Sequence, residues 1–294
     1  MLKNILMVIV GLMAWLAISS HALDQLSVTD DRGERVQLSE PARRVITLSP
    51  HATELVFAAG AGAHIAATVT ASDFPAGART LPRIGEGLQP EPERLLRLKP
   101  DLLIAWQTSQ LTSLTSLRVP SFLSTPKTLQ DVPDTIEKLG ILFDTQDIAQ
   151  PRAAALRAQL KQLKPTLPST PPVRVFLQVG ETPEYSLNRK HLLSQVIEAC
   201  GGINVFGAAA AIAPKISDES VLAQRPELIL LGRTGASAQP KADALAQQYW
   251  SRLNLPAARA GQIYVMDSDV LYRPGPRLIE AAQAICSMIQ QARK

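Results

Sequence analysis

The 294-residue chain contains few of the residues, and none of the motifs, on which most enzymes and metalloproteins rely. It has two cysteines and four histidines, and its histidines share no metal-ligand spacing. There is no G-x-S-x-G nucleophile elbow, no G-x-x-x-x-G-K-S/T phosphate loop and no H-E-x-x-H motif. These absences count against the enzyme that we consider as an alternative, a secreted α/β hydrolase. We predict a protein that is not an enzyme and has neither a metal site nor a cofactor of its own.

The charge pattern excludes another class of function. The formal net charge is +4, and the basic residues are dispersed along the chain. Nucleic-acid binding needs a basic patch or stripe, and the sequence has none. We therefore expect no nucleic-acid partner.

The first residues have the pattern of a secretory signal. Lys3 precedes an uncharged apolar run from Ile5 to Ile18, and Ser20-His21-Ala22 supplies small residues at the two positions that a signal peptidase reads. The run has 14 residues, whereas a membrane span needs about 20. We predict that residues 1–22 are a signal peptide, cleaved after Ala22, and that the mature protein is exported and free of the membrane.

Cysteine usage agrees with export. Cys200 and Cys286 would enter an oxidising compartment together, which favours a disulfide between them over two free thiols. No C-x-x-C motif is present, so a redox or zinc role is not expected.

Two stretches of the chain repeat one pattern. Residues 91–106 read EPERLLRLKPDLLIAW, and residues 219–232 read ESVLAQRPELILLG. In each stretch a glutamate, Glu93 or Glu219, stands seven residues before a proline, and an acid and an apolar strand follow that proline. An arginine-led strand opens each unit, RVITLSP in the first and RVFLQVG in the second. Strands that alternate with helices indicate parallel sheets, so we predict two α/β units of similar plan.

A helical segment separates the two units. The residues IAQPRAAALRAQLKQLK at 148–164 have high helix propensity, and Leu156, Leu160 and Leu163 fall on one face. A helix of this length is a rod of about 25 Å, which permits small-angle motion rather than wide opening. We predict an N-terminal α/β lobe, a linking helix and a C-terminal α/β lobe, at residues 23–147, 148–166 and 167–294.

Side chains suited to ligand binding follow several predicted strands. In RVITLSPHATEL the strand turns into a helix, with Ser49 as N-cap and Pro50 at the first helical position. Ligands of open α/β sheets collect at the carboxyl ends of strands. The candidate residues at these ends are His51, Trp106, Tyr185, Asp269, Tyr272 and Arg273. Their rings favour a flat or apolar-faced ligand, with Asp269 and Arg273 either anchoring its polar groups or pairing with each other.

These segments together resemble one protein family. RVITLSPHATELVFAAG, ERLLRLKPDLLIAW, VIEACGGINVF and RPGPRLIEAAQAIC are similar to segments of the periplasmic substrate-binding proteins of the rigid-helix class. That class serves ABC importers of vitamin B12, haem and ferric siderophores. The resemblance implies two Rossmann-like lobes joined by one long helix, a periplasmic location and a ligand in the cleft between the lobes. We expect a monomer.

The resemblance also assigns roles to particular residues. It implies that Glu93 and Glu219 dock against arginines of the ABC transporter permease, and that Cys200 and Cys286 form a disulfide. Trp106, Asp269 and Arg273 match ligand contacts of the B12-binding members of the class. Tyr185 stands where those members have a phenylalanine.

The match to the B12 binders is partial. Ala71, Gly87 and Ala213 stand where those members have aromatic residues. We predict a receptor for cobalamin or a related corrinoid, with a lower affinity or a reshaped pocket. The alternative within the class is a haem receptor, in which His51 or Tyr185 would coordinate the iron, or a ferric-siderophore receptor, for which Arg273 would be the cleft arginine.

Overall fold

The computed structural model describes residues 26–163, 171–180, 185–234 and 240–293. The predicted signal peptide, residues 1–22, and the last residues of the predicted linking segment, 164–166, lie outside this described part. A short antiparallel hairpin opens it, formed by β1 (Ser27–Thr29) and β2 (Arg35–Gln37).

Two parallel sheets of four strands follow, and they have the same topology. The first sheet has the order β4-β3-β5-β6, formed by β3 (Val45–Thr47), β4 (Ile65–Thr68), β5 (Leu102–Ala105) and β6 (Ser121–Leu123). The second has the order β10-β9-β7-β8, formed by β7 (Val173–Val179), β8 (Gly202–Asn204), β9 (Leu228–Arg233) and β10 (Ile263–Asp267). In each sheet the first strand lies between the second and the third. The predicted pair of similar α/β units is therefore confirmed.

Helices cover the sheets and connect their strands. They are α1 (Pro50–Ala58), α2 (Pro92–Arg97), α3 (Thr108–Thr112), α4 (Asp131–Phe143), α5 (Gln146–Gln162), α6 (Leu192–Ala199), α7 (Asp218–Gln224), α8 (Pro240–Ser251), α9 (Pro256–Arg259), α10 (Ser268–Tyr272) and α11 (Pro276–Gln291). Short 3₁₀ helices occur at Gly62–His64, Ala76–Thr80 and Thr115–Leu117. Among the described residues no helix has the length and apolarity that a membrane crossing requires.

One pattern of surface contacts underlies the sequence pattern that the two units share. Arg44 precedes β3, and its guanidinium donates to the carbonyl of Leu98, just after the end of α2, at 2.7 Å. The chain then turns through Lys99, which has a positive φ of 47°, and Pro100. The carboxylate of Asp101 accepts from the backbone N–H of Arg44 at 2.9 Å. The helix end and the start of the next strand are thereby fixed beside β3.

The second unit repeats these contacts, with the same spacing between the helix-end carbonyl and the acid. Arg174 of β7 donates to the carbonyl of Gln224, the last residue of α7, at 2.9 Å. The chain turns through Arg225, with a φ of 48°, and the carboxylate of Glu227 accepts from the N–H of Arg174 at 2.8 Å. The repeated arginine, proline and acid of the sequence therefore have one structural cause in both lobes.

The helix between the sheets has the predicted length. It begins at Gln146 and ends at Gln162, which is 17 residues. Ala149, Ala153 and Leu156 are buried on one face. Gly140 of α4 lies against Ala149, where a Cβ atom at position 140 would come within 2.4 Å of the alanine methyl, so only glycine permits this close approach.

The apolar core continues from one lobe into the other. Val45, Leu139, Leu156, Ile197 and Ile285 belong to a single buried cluster that spans both sheets and the linking helix. Full burial of such a side chain contributes about 1.5–3 kcal/mol relative to its exposed state. A shared core of this kind opposes large relative motion of the lobes.

Candidate functional site

The carboxyl ends of the two sheets face each other. Arg273, which follows α10, donates to the carbonyl of Ala71 at 3.1 Å and to the carboxylate of Asp73 at 2.9 Å. Ala71 and Asp73 come soon after β4 of the first sheet, whereas α10 comes directly after β10 of the second. We call the space between these strand ends the cleft.

His51 is a buried, neutral ring at the start of α1. Ser49 caps α1 by accepting from the N–H of Ala52, and its hydroxyl lies 3.1 Å from Nδ1 of His51. Nε2 of His51 lies 3.0 Å from the carbonyl oxygen of Ser124. Because a carbonyl only accepts, Nε2 carries the proton and Nδ1 accepts from Ser49. Burial lowers the pKa of His51 to about 4, against the opposing effect of the Ser124 hydrogen bond.

Trp106 supplies a partly exposed aromatic surface beside His51. It directly follows β5, and 42% of it is exposed. Its ring meets that of His51 in an edge-to-face arrangement, with centroids 5.7 Å apart and an interplanar angle of 77°. Such pairs favour a defined ring orientation. The structure therefore brings these two predicted residues together at the end of the first sheet.

Gln110, which the sequence analysis missed, holds this region in place. It is buried, and its Oε1 accepts from the backbone N–H of Trp106 at 2.9 Å. Its Nε2 donates to the carbonyls of Leu48 and Gly87, at 2.9 and 2.8 Å. One side chain thus joins three chain segments of the first lobe. The sequence feature that could have indicated Gln110 is the capping pattern of Gln107 and Gln110 at the start of α3.

The three positions that lack the expected aromatic residues have different surroundings. Gly87 has a φ of +78°, and a Cβ atom there would lie 2.3 Å from Val69 and 2.8 Å from the carbonyl oxygen of Leu48. A side chain at position 87 is therefore incompatible with this backbone. Ala71 uses its carbonyl to bind Arg273, whereas Ala213 is exposed.

The two candidate tyrosines of the second lobe, Tyr185 and Tyr272, differ in their hydrogen bonding. Tyr185 is half-buried and pairs through its backbone with Val179 and Lys215. The hydroxyl of Tyr272 donates to the carbonyl of Gln178 at 2.6 Å, and burial raises the pKa of Tyr272 above its usual value. The polar end of Tyr272 is thereby occupied within the second lobe.

Asp269 and Arg273 form an ion pair at 2.6 Å, which is the pairing that their spacing allowed. Burial is the main reason that the pKa of Asp269 is raised. Arg273 also binds Glu54 of α1, and Arg277 binds the same glutamate. Glu54 and Arg277 were missed by the sequence analysis.

In the described part of the chain, no group of three or more histidine, cysteine, aspartate or glutamate side chains is arranged to hold a metal ion. Both ring nitrogens of His51 already have hydrogen-bond partners.

Glu93 and Glu219 occupy equivalent positions in the two lobes. Each is the exposed second residue of a short helix, α2 for Glu93 and α7 for Glu219. A hydrogen bond from Ser217 is the main cause that lowers the pKa of Glu219. Each helix also carries an exposed leucine three residues after its glutamate, Leu96 with 51% and Leu222 with 37% exposed.

Cys200 and Cys286 form a disulfide, as predicted. Cys200 caps the C-terminus of α6, and Cys286 lies in α11, with the two Cα atoms 4.8 Å apart. The bond therefore fastens the last helix to the second lobe.

The amino-acid sequence is similar to those of known binding proteins. The family described as periplasmic binding protein matches residues 45–270. A vitamin B12-binding protein of Vibrio cholerae is 33% identical over 258 residues, which cover 86% of this chain and 91% of the relative. One from Vibrio parahaemolyticus is 34% identical over 260 residues, covering 87% of this chain and 92% of the relative.

Solved structures have the same architecture. The periplasmic vitamin B12 binding protein BtuF of Vibrio cholerae superposes with a TM-score of 0.77 at 32% identity, covering 86% of this chain and 99% of that one. The periplasmic haem-binding protein BhuT, in complex with two haems, superposes with a TM-score of 0.73 at 19% identity, covering 87% and 100% of the two chains. The second likeness shows the fold alone.

Proposed function

Because the chain belongs to the periplasmic binding protein family, we propose that it binds cobalamin or a related corrinoid in its cleft and delivers it to the permease of an ABC importer. The observation that carries this proposal is Trp106, an exposed ring at the end of β5, in a chain about one-third identical to vitamin B12-binding relatives. A corrinoid presents a broad apolar face, which a fixed tryptophan is suited to contact.

The hydrogen bonding of His51 favours a corrinoid over haem. Ligation of haem iron by His51 would require a free ring nitrogen, and both are engaged with Ser49 and Ser124. A corrinoid needs no such ligand, since its cobalt can carry its own. The alternative is a haem receptor, with Tyr185 as the candidate iron ligand, or a ferric-siderophore receptor.

The missing rings at Ala71, Gly87 and Ala213 affect the expected affinity. Each lost aromatic contact removes about 0.5–1.5 kcal/mol beyond the area that it buries. We expect this chain to bind cobalamin more weakly than a receptor that has all three rings.

Isothermal titration with cyanocobalamin tests the proposal. We expect the wild-type chain to bind and Trp106→Ala to lose about 1–3 kcal/mol, which is about 5- to 150-fold in Kd. Tyr249→Ala, a change of a similarly exposed aromatic residue on α8, is the control and should bind as wild type does. Wild-type affinity in Trp106→Ala would refute the assigned role of the tryptophan.

We further propose that Glu93 and Glu219 dock the two lobes onto the permease. Their equivalent positions, each with an exposed leucine one turn later, give the protein two similar acidic and apolar patches. A matching partner would present an arginine beside an apolar pocket to each patch.

Uptake assays test the docking role. Glu93→Ala or Glu219→Ala should leave ligand affinity unchanged and reduce uptake, and the double variant Glu93→Arg, Glu219→Arg should abolish it, because like charges would then meet. Glu40→Arg reverses another exposed charge of the first lobe and should transport normally. Normal uptake by the double variant would disprove the assignment.

The mature protein is proposed to start at Leu23, after removal of residues 1–22, and to work as a monomer. We divide it into lobes at residues 23–147 and 167–294, joined by the linking segment 148–166. Sequencing of the N-terminus of the exported protein checks the cleavage site.

A further inference from the structure

Glu54 is a buried carboxylate at the interface between the lobes. It lies in α1 of the first lobe, and only 3% of the residue is exposed. Arg277, at the start of α11 in the second lobe, donates to it through two nitrogens, at 2.6 and 3.0 Å. Arg273 donates to it from 3.2 Å. One buried carboxylate of the first lobe therefore binds two guanidinium groups of the second.

The contact between Glu54 and Arg277 lies beside the linking helix. A cavity of about 190 Å³ is lined both by Glu54 and Arg277 and by Arg152 of α5. The guanidinium of Arg277 also lies over the ring of Phe74, 4.3 Å from its centroid. Arg277 is thereby held by the first lobe through both charge and ring contact.

Glu54 and Asp73 both bind Arg273, but they differ in burial. The side chain of Asp73 is 53% exposed, whereas that of Glu54 is 2% exposed. Exposed ion pairs are screened by water and salt, whereas a buried charge that loses its partner is strongly destabilised. Asp73 makes the shorter contact with Arg273, whereas Glu54 is the buried first-lobe carboxylate that binds both Arg273 and Arg277.

We infer that Glu54 is a positioning residue for the cleft. It holds Arg273 and Arg277 across the lobe interface. It thereby fixes the angle between the lobes and the position of Arg273, the candidate ligand contact. Glu54 acts through these arginines and needs no contact with the ligand. The effect on ligand affinity rests on the proposed function, whereas the effect on lobe geometry does not.

The experiment measures lobe geometry and ligand affinity in the same variants. Spin labels at Leu96→Cys and Leu222→Cys, on equivalent exposed positions of the two lobes, report the distance between the lobes by pulsed electron resonance. The test variants are Glu54→Gln, which keeps the shape of the side chain, and Arg277→Lys, which keeps the charge but loses the two-nitrogen contact. The control is Glu137→Gln, which breaks the ion pair with Arg157 between α4 and α5.

We expect both test variants to broaden the distance distribution and to weaken cyanocobalamin binding at least tenfold, while Glu137→Gln leaves both unchanged. Thermal unfolding identifies any variant that does not fold. If Glu54→Gln does not fold, Arg277→Lys is the variant that tests the inference. A distance distribution like that of the wild type in folded Glu54→Gln and Arg277→Lys would overturn the inference, even if their melting temperatures fall. If the wild-type chain does not bind cobalamin, the proposed function fails, and the distance measurement alone still decides the role of Glu54.

Discussion

Replacement of Gly87 by alanine should destabilise the protein, and its cost can be separated into two parts. Gly87 has a φ of +78°, a conformation that costs other residues about 1–2 kcal/mol. The added Cβ atom would also lie 2.3 Å from a methyl group of Val69 and 2.8 Å from the carbonyl oxygen of Leu48. Val69 is buried and the second contact is with backbone, so relief needs a shift that costs about 1–3 kcal/mol. We expect a total loss of about 2–5 kcal/mol.

Gly85→Ala is the matched control for this prediction. Gly85 has a φ of +100°, but a Cβ atom there would have no neighbour within 4 Å. Its substitution should therefore cost only the backbone contribution, about 1–2 kcal/mol. Urea unfolding followed by circular dichroism measures both values. Equal stabilities for Gly87→Ala and Gly85→Ala would refute the steric reasoning, and with it the explanation for the missing aromatic residue at position 87.

Two further predictions concern stability. The disulfide closes a separation of 86 residues. Its removal in the double variant Cys200→Ser, Cys286→Ser should lower the free energy of unfolding, measured in urea, by about 4 kcal/mol. Thiol titration of the denatured, unreduced wild type should find no free thiol, and two free thiols would contradict the disulfide. His51 and His191 each have a pKa lowered by burial to about 4. Since the unfolded histidines take up protons near pH 6.5 and the folded ones do not, stability should fall by about 2 kcal/mol per histidine between pH 7 and pH 5. His51→Gln should remove about half of the total loss due to the two histidines. If the dependence of unfolding free energy on pH is the same in His51→Gln as in the wild type, His51 is not buried and neutral.

The repeated architecture was predictable because local rules specify it. An arginine at the strand start, a proline after the helix and an acid before the next strand form the same contacts in both lobes. Glycine, proline and apolar periodicity marked the turns and the linking helix, which starts only two residues earlier than expected.

The residues that organise the cleft were less predictable because their partners are distant in the chain. Gln110 binds a carbonyl 62 positions away, and Arg277 binds Glu54 from 223 positions away. No periodicity signals such pairs, since they depend on how the lobes pack. Trp106, Asp269 and Arg273 were chosen as candidates because strand ends mark ligand sites in α/β folds, and their contact with a ligand stays a prediction.

The central claim is that the cleft binds a corrinoid, and an absorption spectrum tests it most directly. The purified protein is incubated separately with cyanocobalamin and with haemin, desalted and measured. We predict that cobalamin absorption remains with the protein at about one equivalent and that haemin does not. Retention of the haem Soret band without retention of cobalamin would contradict the claim and favour the haem alternative.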